Sequence, residues 1–276
     1  MTSRTLAVRV IAGWEMRGAA RTRWVVGAAV LYGAGAIALS LVGLRSLREL
    51  GLSGAGAVVD GLVALGVLFP PLIGLLLGAG SVAGSREQGT LPLMSTQPIR
   101  RSAIPWGMAL GLTATVWAAV GIGLGLAAVV LAPVVSTADL PGLAMAAAVS
   151  LASAAVGVSL GVMISSWSAT RSQATAVAAA VWFAAALGMD LLLAAVAPGV
   201  RLGPVGLLWA ILLNPLEGIR LLATMVTDPA ALGPFGVYMF DRLGRGVSML
   251  LLGGAAAAWT VIPVVVASRI LRRRDV

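Results

Sequence analysis

The sequence contains no lysine, no histidine and no cysteine, and only 11% of its 276 residues are charged. Each absence removes a class of chemistry. Without lysine there is no P-loop, whose lysine reaches the nucleotide phosphates. Without cysteine and histidine there is no nucleophilic triad and no ordinary transition-metal site, and disulfides are excluded in any compartment. Methionine thioether is the one soft ligand left. Met189, Met225, Met239 and Met249 gather in the C-terminal third. Thioethers can bind Cu(I), but methionine is mostly core filler, and no metal site is expected on this chain.

What is abundant is apolar surface: 59% of the residues are hydrophobic. A soluble domain averages about 25% charged residues, so this balance belongs to a polytopic, all-α membrane protein. Charge-free runs cover 24–44, 61–84, 102–138, 140–170 and 246–268. A bilayer core needs about 20 helical residues. Six spans are expected, at 24–44, 60–83, 103–132, 142–165, 174–197 and 246–268, with kinks at Pro70-Pro71 and Pro263. Four small-residue pairs, Gly74/Gly78, Gly107/Gly111, Gly121/Gly125 and Gly157/Gly161, permit close helix approach, but among 35 glycines such matches arise by chance.

The formal charge of +9 comes from arginines between the apolar runs and does not imply nucleic acid. With the N-terminus placed in the cytoplasm, thirteen arginines fall on that side and six on the other, so both termini are expected to be cytoplasmic. Residues 1–23 hold five arginines and no apolar core, which argues against a cleaved leader and for the first span as a retained anchor. Within 4–23, Leu6, Ala7, Val10, Ile11 and Trp14 share one helical arc, with Arg9 and Glu15 opposite. That pattern suggests an amphipathic helix on the cytoplasmic leaflet, the plainer alternative being a basic leader before the first span. The stretch LGPVGLLWAILLNPL, 202–216, is apolar but only 15 residues long. It reads as a re-entrant or interfacial helix within an outer cap, 198–245.

Between the second and third runs lies GSREQGTLPLMSTQPIRRSA, 84–103. Its order, Arg86, Glu87, Gly89, Thr90, Leu91, then Met94, Pro98, Arg100 and Arg101, resembles the E-x-G-T-L…P-(L/I)-x-R signature of ABC-2 type permeases. In that family the segment, 84–102 here, is a coupling helix that docks on an ATPase subunit. Glu87 would favour a helix N-terminus, Gly89 would permit close backbone approach, and Leu91 and Met94 would share a face inserted into a partner groove. Pro98 would end that helix. The stretch WEMRGAARTRW resembles the end of the family's elbow helix, on Glu15, Met16, Arg21, Arg23 and Trp24, with Gly18 where an acid is common. LLNPLEGIRL, 212–221, and VWFAAALGMDLLLAAV, 181–196, are similar to the branch of the family that serves copper-centre maturation of nitrous oxide reductase.

The resemblance implies one permease domain over 1–276 with an elbow helix, six spans and a type V exporter-like fold. It implies a homodimer in the bacterial inner membrane, carrying two cytoplasmic ABC ATPases, with a β-helical protein on the periplasmic side. ATP and magnesium would sit on the partner, leaving no cofactor and no enzymatic activity on this chain. The alternative is a generic ABC-2 exporter of a drug, lipid or polysaccharide. Asp190, the sole charge in the middle of a span, is a gating, proton or path residue, or else is hydrogen-bonded or ion-paired with a cap group such as Arg201 or Arg220. In the periplasmic cap, Asn214-Pro215 is expected to start a helix on which Glu217 and Arg220 pair, either as scaffolding or as a partner contact. The loop SSWSATRSQ, 165–173, is either a second ATPase contact through Trp167 and Arg171 or a simple connector.

Overall fold

The computed structural model describes residues 2–20, 22–49, 56–91, 100–133, 137–196, 204–227, 232, 239 and 241–273, and no strand occurs among them. The helices are α1 (Thr2–Ala20), α2 (Arg23–Glu49), α3 (Gly56–Ala79), α4 (Ser81–Glu87), α5 (Ala103–Leu131), α6 (Leu140–Trp167), α7 (Arg171–Val196), α8 (Pro204–Leu213), α9 (Pro215–Thr227) and α10 (Arg245–Arg273). Five stretches among the described residues are long and apolar enough to cross a membrane: Val25–Gly43, Val58–Glu87, Ala103–Leu131, Leu140–Trp167 and Arg245–Arg273. The stretch expected as the fifth of six spans, 174–197, lies almost wholly in α7, whose 26 residues are about 39 Å long.

The second apolar stretch runs further than its hydropathy suggests. Past a turn at Gly80 it continues as α4, with Ser81, Val82, Ala83, Gly84 and Ser85 buried. Gly84 to Glu87, expected to open a separate coupling helix, is helical but belongs to this continuation. Small side chains explain the extension: they let this polar end lie against α6, where the Ala83 N–H donates to Ser165 Oγ at 2.9 Å.

α3 and α6 form the centre of the bundle, and glycine sets their separation. A Cβ at Gly74 would lie 2.7 Å from the Ala154 carbonyl oxygen, and one at Gly78 would lie 2.6 Å from that of Val158. From the other side, Gly157 abuts the Pro71 backbone and Gly161 the Leu75 carbonyl. Gly107 and Gly111 on α5 receive Ile11 and Ala12 of α1 in the same way, whereas Gly121 and Gly125 face open space. Three of the four pairs thus mark helix crossings, and the chance reading fails for those three. Pro70 has no N–H, so it strips the Gly66 carbonyl of its helical partner. Ser153 of α6 supplies the missing donor at 2.6 Å. Nearby, Tyr32 Oη and Ser150 Oγ share a hydrogen bond of 2.8 Å, and Ser150 also donates to the Ala146 carbonyl.

α8 and α9 form a hairpin that enters the bundle and turns back at Asn214. Two bonds fix the depth of its tip. The Trp259 indole donates to the Leu212 carbonyl at 2.9 Å, and Trp259 lies fourteen residues from either end of α10. Asn214 Nδ2 donates to the Ala185 carbonyl at 2.8 Å, and Ala185 lies fourteen residues from the start of α7 and eleven from its end. The tip therefore sits level with the middle of both helices.

Candidate functional site

One end of the bundle collects arginines. Arg100, Arg171, Arg269, Arg272 and Arg273 are exposed there, and Ser268 Oγ reaches the Ser102 carbonyl at 3.4 Å. At this end α4 is fastened to the turn between α6 and α7. Glu87 Oε1 accepts the Arg171 N–H at 2.9 Å, and Arg86 Nη1 donates to the Ser168 carbonyl at 2.7 Å. Thr90 Oγ1 donates to the Ser85 carbonyl at 3.0 Å, and Gly89 adopts φ +70°, which lets the chain turn out of α4.

Glu87 does favour a helix N-terminus, but it is that of α7 and not of its own segment. Leu91 differs from expectation more sharply. It is wholly buried in this chain's own core, so it cannot be the side chain that enters a partner groove. The exposed surface here is Glu87, Gln88 and Gly89, with Arg100 nearby, Arg101 half-buried and Trp167 73% exposed. Met94 and Pro98 lie outside the described residues. The fastening of 165–171 to α4 was not legible from the sequence, because one serine hydroxyl, a backbone carbonyl and a backbone amide carry it. The clustering of Ser165, Ser166, Ser168 and Arg171 was the available signal.

α1 lies along the start of α5. Its contact face is Val8, Ile11, Ala12 and Glu15, while Leu6, Val10 and Trp14 are exposed. The apolar arc read from the helical wheel is therefore divided, and Glu15 turns toward protein and away from the polar side. Both shifts follow from Gly107 and Gly111, which open a groove on α5 that takes the small and β-branched side of α1. Thr22 Oγ1 donates to the Ala19 carbonyl at 2.6 Å and closes the turn into α2, where Arg23 is exposed. Arg21 and the Trp24 side chain lie outside the described residues.

Burial raises the Glu15 carboxyl from 4.5 to about 7. Over that interval the packed helix holds a proton that the free chain has lost. Attachment of α1 is expected to be strongest below pH 4.5, to weaken as pH rises to about 7, and to level off above it. Thermal melting in detergent across that range checks this, and Glu15→Gln is expected to flatten the profile.

At the hairpin tip, Asn214 Oδ1 accepts the N–H groups of Leu216 and Glu217 at 3.1 and 3.4 Å, with Pro215 in the first helical position. This is the expected helix start. The same side chain spends its amide on α7, so Asn214→Ala loses a cap and an interhelical bond together. A loss of about 2 kcal/mol is expected, read as a lower melting midpoint in detergent. Glu217 and Arg220 pair at 3.7 Å. They stand three and six residues beyond Asn214, about 4.5 and 9 Å along the axis. The pair therefore lies alongside α7 and α10 and not beyond their ends. Asp190 is on α7, five residues beyond Ala185, and its side chain lies outside the described residues.

Beside the tip, helices α3, α6, α7, α8, α9 and α10 border a cavity of about 580 Å³. Leu75, Leu160, Ala184, Leu213, Leu216 and Trp259 are among its walls, and no charged residue lines it.

A family model described as "ABC-2 family transporter protein" matches residues 9–276. The chain belongs to the ABC-2 transporter family, and with its several membrane-length apolar helices it is a multi-pass membrane protein. Among curated proteins it is similar to "Probable ABC transporter permease protein NosY" of Pseudomonas aeruginosa, with 32% identity over 98% of this chain and 99% of that protein. The protein of the same name from Stutzerimonas stutzeri is 30% identical over 96% of this chain and 97% of its own length.

Proposed function

We propose that this chain is the permease subunit of an ABC transporter in the bacterial inner membrane, acting in copper-centre maturation of nitrous oxide reductase. End-to-end similarity to two NosY permeases carries the reading. Two copies span the membrane through six helices each, α7 being the fifth, with both termini cytoplasmic on the arginine-rich side. α1 is the elbow helix, its exposed Leu6, Val10 and Trp14 facing lipid at the interface. Two cytoplasmic ATPases of the NosF type bind and hydrolyse ATP with magnesium. They dock on the segment that starts at Arg86, Glu87 and Gly89 and returns at Arg100 and Arg101. A periplasmic β-helical protein of the NosD type meets the outer face.

Force from the ATPases has a short route inward. A displacement of Glu87 bears directly on the first amide of α7, and α7 holds the hairpin at Ala185. Only a difference in docking between nucleotide states can move this train. Arg171 is the first residue of its helix, where proline is tolerated but offers no N–H. Arg171→Pro is expected to retain bound ATPase while lowering permease-stimulated ATP hydrolysis about tenfold, and Arg171→Ala to leave it near normal. Equal rates for the two variants would remove this coupling route.

The reading itself is tested by co-expression with a NosF-type ATPase and by the copper content of nitrous oxide reductase in a strain lacking this chain. A stable complex and loss of the copper–sulfur centre are expected. The apolar cavity favours the second reading, export of a lipid or drug. That reading gains if the copper content is unchanged and ATP hydrolysis rises with an apolar compound.

A further inference from the structure

The cavity beside the hairpin tip offers a ligand no polar side chain that is not already bonded. Among its walls only Asn214 and Trp259 carry polar side-chain atoms. Asn214 is engaged at both ends of its amide, with Ala185 of α7 and with the first amides of α9, and the Trp259 indole donates to the Leu212 carbonyl. Water needs several polar partners to occupy such a space and finds none there. Left empty, the space would deprive the leucines around it of contacts on one side. These walls select a hydrocarbon.

We propose that one acyl chain of a membrane phospholipid resides in this cavity and braces the hairpin against α3, α6 and α7. Size, entrance and depth all point to it. A dry cavity of about 150 Å³ takes one benzene ring, so one of about 580 Å³ holds on the order of twenty carbons. Ala184 of α7 and Leu213 of α8 line the cavity and are both exposed, so it opens sideways between those helices. Ala184 adjoins Ala185, which puts the opening level with the middle of the spans, where a bilayer presents hydrocarbon alone. Exposed Phe183, Leu187 and Trp209 make the approach apolar, and the headgroup stays outside. At Gly188, on the wall, a Cβ would meet nothing within 4 Å, so the chain leaves room there that its own side chains do not use. The space borders six helices of one chain, and a flexible tail fills it where a facing helix of a second copy would offer only short side chains. Nothing in this depends on the maturation reading, which can fail while the site stands.

Native mass spectrometry of the full chain, extracted in mild detergent from vesicles of phosphatidylglycerol and phosphatidylethanolamine, counts the lipid it keeps. One tightly held phospholipid per copy is expected. Gly188→Leu fills the space from its wall and Ala184→Leu narrows the mouth, and each is expected to lower retention at least fivefold. Gly121→Leu, at an open position on α5, is expected to leave it unchanged. Equal retention in all four proteins would overturn the proposal. The unsubstituted chain gives a second readout, with a phosphatidylglycerol that carries a diazirine near its acyl terminus. Photolabelling is expected on Leu160 and Leu216, which are buried but line the cavity. Labels confined to exposed helix faces would overturn it as well. In this cysteine-free chain, oxidative cross-linking of Gly188→Cys into dimers in liposomes would assign the space to a second copy and not to lipid. Release of the retained lipid on adding a NosF-type ATPase with ATP would make it cargo and not a resident.

Discussion

Gly157→Ala and Gly161→Ala are each expected to lower stability by about 3 kcal/mol, the upper end of the range for overpacking, and to cut the yield of monodisperse protein severely. The reason is what the new methyl group meets. At both positions it would strike backbone of α3, at Pro71 and at Leu75, and backbone cannot rotate aside as a side-chain terminus can. The helices would have to part, and every contact along the crossing would loosen with them. Gly121→Ala and Gly125→Ala are the matched controls, since a Cβ there meets nothing within 4 Å. Their melting midpoints in detergent are expected to stay at the wild-type value or rise slightly, because alanine is the better helix former. Similar losses at all four positions would show that general glycine replacement, and not the crossing, is responsible.

The second large effect is expected at Ser153. Its hydroxyl is buried and donates to the Gly66 carbonyl, the acceptor that Pro70 leaves without a helical partner. Ser153→Ala nearly preserves volume but removes the donor, and no water is available at that depth to replace it. A loss of about 1–3 kcal/mol is expected. Pairing the change with Pro70→Ala restores the amide of residue 70, so the double variant should recover much of what the single change loses. This non-additivity separates a hydrogen-bond defect from a packing defect. Thermal melting of the two single variants and the double variant measures it.

The class of this chain was legible because bilayer thickness imposes run lengths that no other environment demands. The start of α9 was legible too: Asn-Pro is a local signal whose bonds are made within three residues. Three other features were not. The extension of α3 into α4 depends on the Ala83 amide finding the Ser165 hydroxyl of α6, a contact 82 residues away in sequence. The burial of Leu91 and the inward turn of Glu15 depend on which face a neighbour presents, and a single helical wheel holds no such information. Spacing of glycines was visible, but whether a pair is used depends on the opposing helix. Gly107/Gly111 and Gly121/Gly125 share one helix and differ only in what stands across from them. The depth of Glu217 and Arg220 was hidden for a related reason. A 15-residue apolar stretch is too short to span, and only Trp259 and Ala185 reveal how far it enters.

The hairpin is held from both directions along the chain. α7, which anchors Asn214, is synthesised before it, and α10, whose Trp259 anchors Leu212, is synthesised after it. Its seat is therefore unfinished while the ribosome is still making residues 228–258, because the bond from Trp259 comes last. Folding of this chain accordingly closes backwards: the final helix completes a socket for a segment that left the translocon before it. A chain cut short ahead of Trp259 would retain every earlier helix and still lack one of the two bonds that hold the hairpin at depth.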